Sequence, residues 1–150
     1  MIDNKEDVAR VIFSPKMIHN GILLPAAFEL RSQFKEDYLS VLRMSISTWK
    51  QEMLLIPNRR NRTAVAYSSL NVGDIKSLSD NDTTSYYVEA FPSNTMRSHA
   101  GIEITYKGQT VIGGVPLKNS PQEAESYIRM AIRYKLLMLA RKNVHYISRS

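Results

Sequence analysis

The chain has 150 residues, with 20 Lys and Arg against 14 Asp and Glu, and a net charge of +6. That length favours one domain around one core, and a hydrophobic fraction of 43% excludes a wholly disordered chain. The absence of cysteine excludes disulfides, thiolate nucleophiles and cysteine metal sites, and fits a reducing cytoplasm.

Residues 1–6 read as a flexible polar arm. "DVARVIF" (7–13) is apolar and β-branched and predicts a first strand. In "SPKMIHNG" (14–21), Ser14 as a cap, Pro15 at the first helical position and Gly21 as a stop predict a short helical turn. "LPAAFEL" (24–30) predicts another turn, packed by Phe28. "YLSVLRMSI" (38–46) suits a strand with Leu39, Val41 and Arg43 on one face and Leu42, Met44 and Ile46 on the other. "STWKQEMLLIP" (47–57) predicts a helix: Thr48 and Gln51 match a capping box, Trp49, Met53 and Ile56 share a face, and Pro57 ends it. "TAVAYSSL" (63–70) and "VGDIKSL" (72–78) are predicted strands, "SDNDTTS" (79–85) a turn, "YYVEAF" (86–91) a strand and "PSNTMRS" (92–98) a loop.

"HAGIEITY" (99–106), "KG" and "QTVIGGVPL" (109–117) carry the best hairpin signal. "SPQEAESYIRMAIRYKLLMLARKN" (120–143) is the strongest helix, with Ser120, Pro121 and Glu123 as its start signal. Ala124, Ile128, Ala131, Ile132 and Met138 are its expected apolar face, and Arg141 and Lys142 suit the negative end of the helix dipole. The fold class is therefore α+β: one domain, 1–150, of mostly antiparallel sheet with a long C-terminal helix packed on one face.

The apolar runs are short; "GILLPAAF" is broken by Pro25, and nothing approaches the roughly 20 apolar residues of a membrane span. The start "MIDNKEDVAR" has no apolar stretch of the secretory type. His19, His99 and His145 share no ligand spacing, so neither metal nor cofactor is expected. The positive balance draws the chain toward nucleic acid, phosphorylated ligands or an acidic protein surface.

The segments "SPKMIHNGILLPAAF", "DYLSV" and "SHAGI" resemble an uncharacterised family of small bacterial proteins. The matching positions are Pro15, Gly21, Ala27, Phe28, Asp37, Leu39, Ser40, Val41, His99, Ala100 and Ile102. Where the family has an early His before Pro, this chain has Ser14. The resemblance implies a small, single-domain bacterial protein and brings no established activity.

Four constellations carry potential chemistry. His99 is either a proton carrier or a residue that holds the start of a strand. Arg10, Ser40 and Glu103 fall on successive predicted strands and resemble the Arg–Ser–Glu order of ADP-ribosyltransferases. There a cation binds pyrophosphate, a hydroxyl orients ribose and a carboxylate stabilises an oxocarbenium-like centre. The chain lacks that family's Ser-Thr-Ser triplet and, at Glu103, its Glu-x-Glu or Gln-x-Glu pair. That enzyme reading requires Arg10, Ser40, His99 and Glu103 to converge in one cleft, and Arg10 and Glu103 on opposite sheet faces would end it.

"PNRRNRT" crowds Arg59, Arg60 and Arg62 into one loop without an acidic neighbour, the composition of a phosphate-grasping loop or of a solvated connection. Arg129 and Arg133 share a helix face four residues apart. Tyr86, Tyr87, Tyr127 and Tyr134 suit a sheet–helix core as well as a base-stacking surface. Gly113 and Gly114 belong to no phosphate-loop motif and read as a bulge or bend.

The leading expectation is a non-catalytic cytoplasmic module. It would bind nucleic acid or an acidic partner through Arg59, Arg60, Arg62, Arg129 and Arg133. The rivals are the nucleotide-directed enzyme and a subunit of a bacterial defence or toxin-type assembly, the last motivated by the apolar "GILLPAAF".

Overall fold

A strand apolar on both faces must lie inside a sheet, because each face needs a cover. "DVARVIFS" is such a segment: Val8, Ala9, Val11, Ile12 and Phe13 are all buried in β1 (Asp7–Ser14). A computed structural model describes residues 2–80, 83–118 and 120–148. Around β1 the sheet is built from β4 (Leu39–Arg43), β5 (Thr63–Asn71), β6 (Thr84–Ala90), β7 (His99–Tyr106) and β9 (Val144–Tyr146). Their order is β6-β7-β4-β1-β5-β9, with every neighbouring pair antiparallel, and β8 (Gln109–Thr110) adds a short rung to β7.

The register sorts side chains to two faces. Val8 pairs with Leu70, Leu39 with Ile102 and Tyr86 with Ile104, all buried on one face. That face is covered by α3 (Gln122–Ala140) through Ile132, Leu136, Leu137 and Ala140. Burying each leucine or isoleucine contributes about 1.5–3 kcal/mol. Two hydrogen bonds fix the helix: the Ser68 hydroxyl donates to the Ala140 carbonyl at 2.6 Å and the Tyr86 hydroxyl to the Ile132 carbonyl at 3.1 Å. The other face carries Ala9, Leu42 and Tyr67 and is partly covered by α1 (Trp49–Leu54). There the Trp49 ring meets Tyr67 edge-on at 5.1 Å. The chain is thus α+β, with a mostly antiparallel sheet and a long C-terminal helix packed on it.

Several local expectations are corrected. Residues 2–6 are docked rather than a free arm: Ile2 is buried and Glu6 pairs with Arg43 at 2.7 Å. "SPKMIHNG" forms no helix. Asn20 and Gly21, with φ of 49° and 77°, make the two-residue turn between β2 (Ile18–His19) and β3 (Ile22–Leu23). Asn-Gly is the preferred pair where both turn positions need positive φ. "VGDIKS" is α2 (Val72–Ser77), not a strand; the Asn71 side chain caps it by accepting from the Asp74 N–H at 3.0 Å.

Ser120 does not cap α3; its hydroxyl donates to the Leu117 carbonyl at 3.3 Å. The buried stripe of α3 runs through Ile132, Leu136 and Ala140, so Ala131 and Met138 face outward. Of the four tyrosines that suit either a core or a stacking surface, Tyr86 is buried and Tyr87, Tyr127 and Tyr134 are exposed. The expected turn at 79–85 includes positions 81 and 82, which lie outside the described residues.

Candidate functional site

The central pair of strands is forked. β1 and β4 pair only at Val8–Arg43 and Ala9–Leu42, although β1 continues to Ser14 beside β5 and β4 begins at Leu39 beside β7. A register shift between Ile12 and Phe13 bends β1 at the same place. Beyond Ala9 the edges of both strands need partners other than each other. On β4, Arg10 supplies one: its Nη1 donates to the Ser40 carbonyl at 2.8 Å, while its Nε donates to the Ala27 carbonyl at 2.9 Å. Its guanidinium lies 5.8 Å from the Phe28 ring centre.

A cavity of about 460 Å3 opens in this fork. Its apolar wall includes Val11, Phe13, Met17, Leu42, Ile56 and Met96. Its cations are Arg10, Lys16, Arg31 and Arg62, and its carboxylates Glu29 and Glu36. Glu36 is held by Arg31, accepting from its main-chain N–H at 2.6 Å and from Nη2 at 3.0 Å. Glu29 turns toward Arg133, 3.7 Å away. Arg62 lies over the Phe13 ring at 4.0 Å.

The guanidinium groups repel one another. Burial, opposed by Glu36 and reinforced by Arg62 and Arg31, pulls Arg10 down to about 10. Burial, with Arg31 and Arg59, also lowers Arg62. An entering anion relieves both repulsions at once, because the charged form of each arginine gains an opposite partner.

Ser40 and His99 stand at the same cavity. They belong to neighbouring strands, where Ser40 pairs with Gly101 and Leu42 with His99. His99 Nδ1 is 3.1 Å from the Phe91 carbonyl oxygen, and Nε2 is 3.3 Å from Ser40 Oγ. A carbonyl only accepts, so this network assigns the ring proton to Nδ1 and turns the Nε2 lone pair to the Ser40 hydroxyl. The residue before His99 is clamped: buried Glu52 accepts from both the N–H and the hydroxyl of Ser98 at 2.9 Å. Tyr38 and Phe91 flank the imidazole, with ring centres 5.9 and 6.3 Å away.

The structure therefore brings Arg10, Ser40, His99 and Arg62 to one cavity. Glu103 is not among its lining residues. It pairs with Tyr87 on the same sheet face as His99, four residues along β7. Arg10 pairs with Ser68, which faces α3, so its Cβ leaves the opposite face of the sheet. The four-residue arrangement required for the ADP-ribosyltransferase-like enzyme is not assembled.

Nor do the five arginines form one surface. Arg59 and Arg60 are exposed on the turn before Arg62. Arg129 is engaged by Glu125 and by the carbonyls of Ile112 and Val115, and Arg133 faces Glu29. Both line a smaller hollow of about 250 Å3 beside Phe28. In "GILLPAAF", Leu23, Ala27 and Phe28 are buried by the chain itself, while Ile22 remains 57% exposed.

Arg31, Glu36 and Lys16 escaped the sequence reading, since they sit in turns without periodicity; two charges five residues apart before "DYLSV" were the only signal. Among the described residues no three His, Asp or Glu gather as metal ligands, and no helix is long and apolar enough to cross a membrane. Comparison with family models, curated proteins and solved structures gave no match.

Proposed function

We propose that the protein binds a small anionic ligand with an apolar body in the fork cavity. One observation carries this reading: Arg10, Lys16, Arg31 and Arg62 outnumber the carboxylates of Glu29 and Glu36 around a single concavity, and Val11, Phe13, Met17, Leu42, Ile56 and Met96 give it an apolar wall. A carboxylate or phosphate would meet the guanidinium groups, whose forks match its oxygens, and a hydrocarbon portion would lie on Phe13, Met17 and Ile56. A nucleic-acid surface has less support, because Arg129 and Arg133 line a separate hollow beside Phe28 and do not join the exposed Arg59 and Arg60.

Thermal shift and calorimetry with octyl phosphate, octanol, inorganic phosphate and a short single-stranded RNA test the reading. Octyl phosphate is expected to bind far more tightly than octanol or phosphate alone. Arg62→Met is expected to weaken it by about 10–100-fold, the range for losing one charged contact. RNA binding that exceeds that of octyl phosphate and ignores Arg62→Met would overturn the proposal in favour of a nucleic-acid module.

A second reading concerns partners and rests on α3. Tyr127, Met130, Tyr134 and Met138 form an exposed stripe at helical spacing, with Tyr127 72% exposed. Glu123 lies at one end of the stripe and Lys142 just beyond the other. Antiparallel docking of a second copy buries the stripe and places each Glu123 against the other copy's Lys142. In sedimentation, Glu123→Lys and Lys142→Glu are each expected to weaken a dimer that the double variant restores. A monomer at about 100 μM native protein would refute the dimer, that concentration lying well above the micromolar range of specific association.

A further inference from the structure

Building on the cavity as an anion site, we infer that Ser40 and His99 are a nucleophile and its general base, acting on a small ester that carries the anionic group. Three features of the geometry converge. The Ser40 hydroxyl is exposed at the cavity while its main chain is fixed on both sides, by Gly101 through the ladder and by Arg10 at its carbonyl. The Phe91 carbonyl holds the imidazole in the one tautomer that can take the Ser40 proton. The cations of the cavity supply a positive field for charge that develops on the carbonyl oxygen of a substrate.

The reaction is acyl transfer to water. Ser40 Oγ bonds to the ester carbonyl carbon as its proton passes to His99 Nε2, and the carbonyl π pair moves onto oxygen. Collapse of that oxyanion breaks the bond to the leaving alcohol oxygen, which takes the proton from His99. Water then attacks the acyl-Ser40 carbonyl, giving one proton to His99. The second collapse releases the carboxylic acid and returns the proton to Ser40 Oγ. Phe91 is a positioning residue: its carbonyl keeps the ring oriented while Nε2 gains and loses the proton.

The test is intact-mass spectrometry and peptide mapping of the full chain after incubation with an alkyl fluorophosphonate, alongside hydrolysis of p-nitrophenyl octanoate and of the mono-p-nitrophenyl ester of suberic acid. One adduct per chain, mapped to Ser40, is expected, with the anionic ester the better substrate. Ser40→Ala should abolish the adduct, and His99→Gln should slow its formation by about 100-fold or more while both variants keep the native circular dichroism spectrum. Ser40→Cys should remain acylated, which a merely structural serine would not predict. An adduct elsewhere, or one that survives Ser40→Ala, would overturn the proposal. Octyl phosphate binding without Ser40 labelling would also overturn it and leave the binding site standing. His99-dependent labelling of Ser40 without octyl phosphate binding would support the pair and refute the anion reading alone.

Discussion

Arg10 Nη1 lies 2.8 Å from the main-chain oxygen of Ser40, across a gap that no β1–β4 ladder pair spans. This one side chain ties the two halves of the sheet where they diverge and fixes the backbone under the Ser40 hydroxyl. Arg10→Met leaves the Ala27 and Ser40 carbonyls without these donors and is expected to cost about 2–4 kcal/mol in urea unfolding. Arg10→Lys keeps the charge but not the two-pronged reach, and should fall between. A loss under about 0.5 kcal/mol in Arg10→Met would show that the fork does not depend on this residue.

Gly101 makes room for the aromatic wall beside His99. A Cβ there would stand 2.5 Å from Tyr38 Cδ2 and 2.8 Å from Phe91 Cε2. Gly101→Ala must therefore push both rings, an overpacking cost of about 1–3 kcal/mol. Differential scanning calorimetry should show a drop of about 3–9 °C in Tm, using the shift typical of chains this long. Displacement of Phe91 should also slow labelling of Ser40; unchanged Tm and labelling would contradict the packing account.

Glu52 links stability to acid. Burial by itself raises its carboxyl, but hydrogen bonds from the Ser98 N–H, Thr48 and the Ser98 hydroxyl, with the charge of Arg97, leave it below the ordinary 4.5. A carboxylate lowered in the fold contributes stability that is present above 4.5 and lost as pH falls through the lower folded value. Glu52→Gln should cost about 1–3 kcal/mol at neutral pH, with the gap to the native chain closing in acid. Parallel stability curves for the two proteins from pH 7 to pH 3 would refute this role.

Glu103 behaves oppositely. Burial, then Glu89 and Asp37, raise its carboxyl above 4.5. A raised carboxyl favours the fold at low pH and loses that contribution as pH rises through the folded value. Glu103→Gln is expected to stabilise the protein at pH 7 by up to about 0.5 kcal/mol, with no gain near pH 3, and to leave Ser40 labelling unchanged. Loss of labelling in Glu103→Gln would return this residue to the site.

The regular elements are legible where the hydrophobic period is strong: β4, β7 and the long α3 fall within their predicted segments, while β1 and β5 each run one residue past theirs and β6 starts two residues early, inside the expected turn. Short elements misled. Val72 and Ile75 are three residues apart, a helical spacing that the β-branched composition masks; the Asn71 cap starts the helix, and the docked Asn4 carbonyl accepts from the Gly73 N–H at 2.9 Å. Asn20–Gly21 is a local turn signal, and it prevails over the helix-start signal of Ser14–Pro15.

From sequence alone follow the basic charge, the absence of thiol chemistry, the α+β class and the candidacy of Arg10, Ser40, His99 and Arg62. These are properties of composition and local pattern. That Ser40 and His99 meet, that Arg10 bridges the fork and that Arg129 and Arg133 turn to other partners was decided by tertiary structure. Ser40 and His99 are 59 residues apart, and Arg10 and Ser40 are 30 apart. Their contacts depend on strand order and on where β1 stops pairing with β4. A one-residue slip of either ladder would send each side chain to the other face, and for strands this far apart in sequence the register is set by burial of one face rather than by a turn between them.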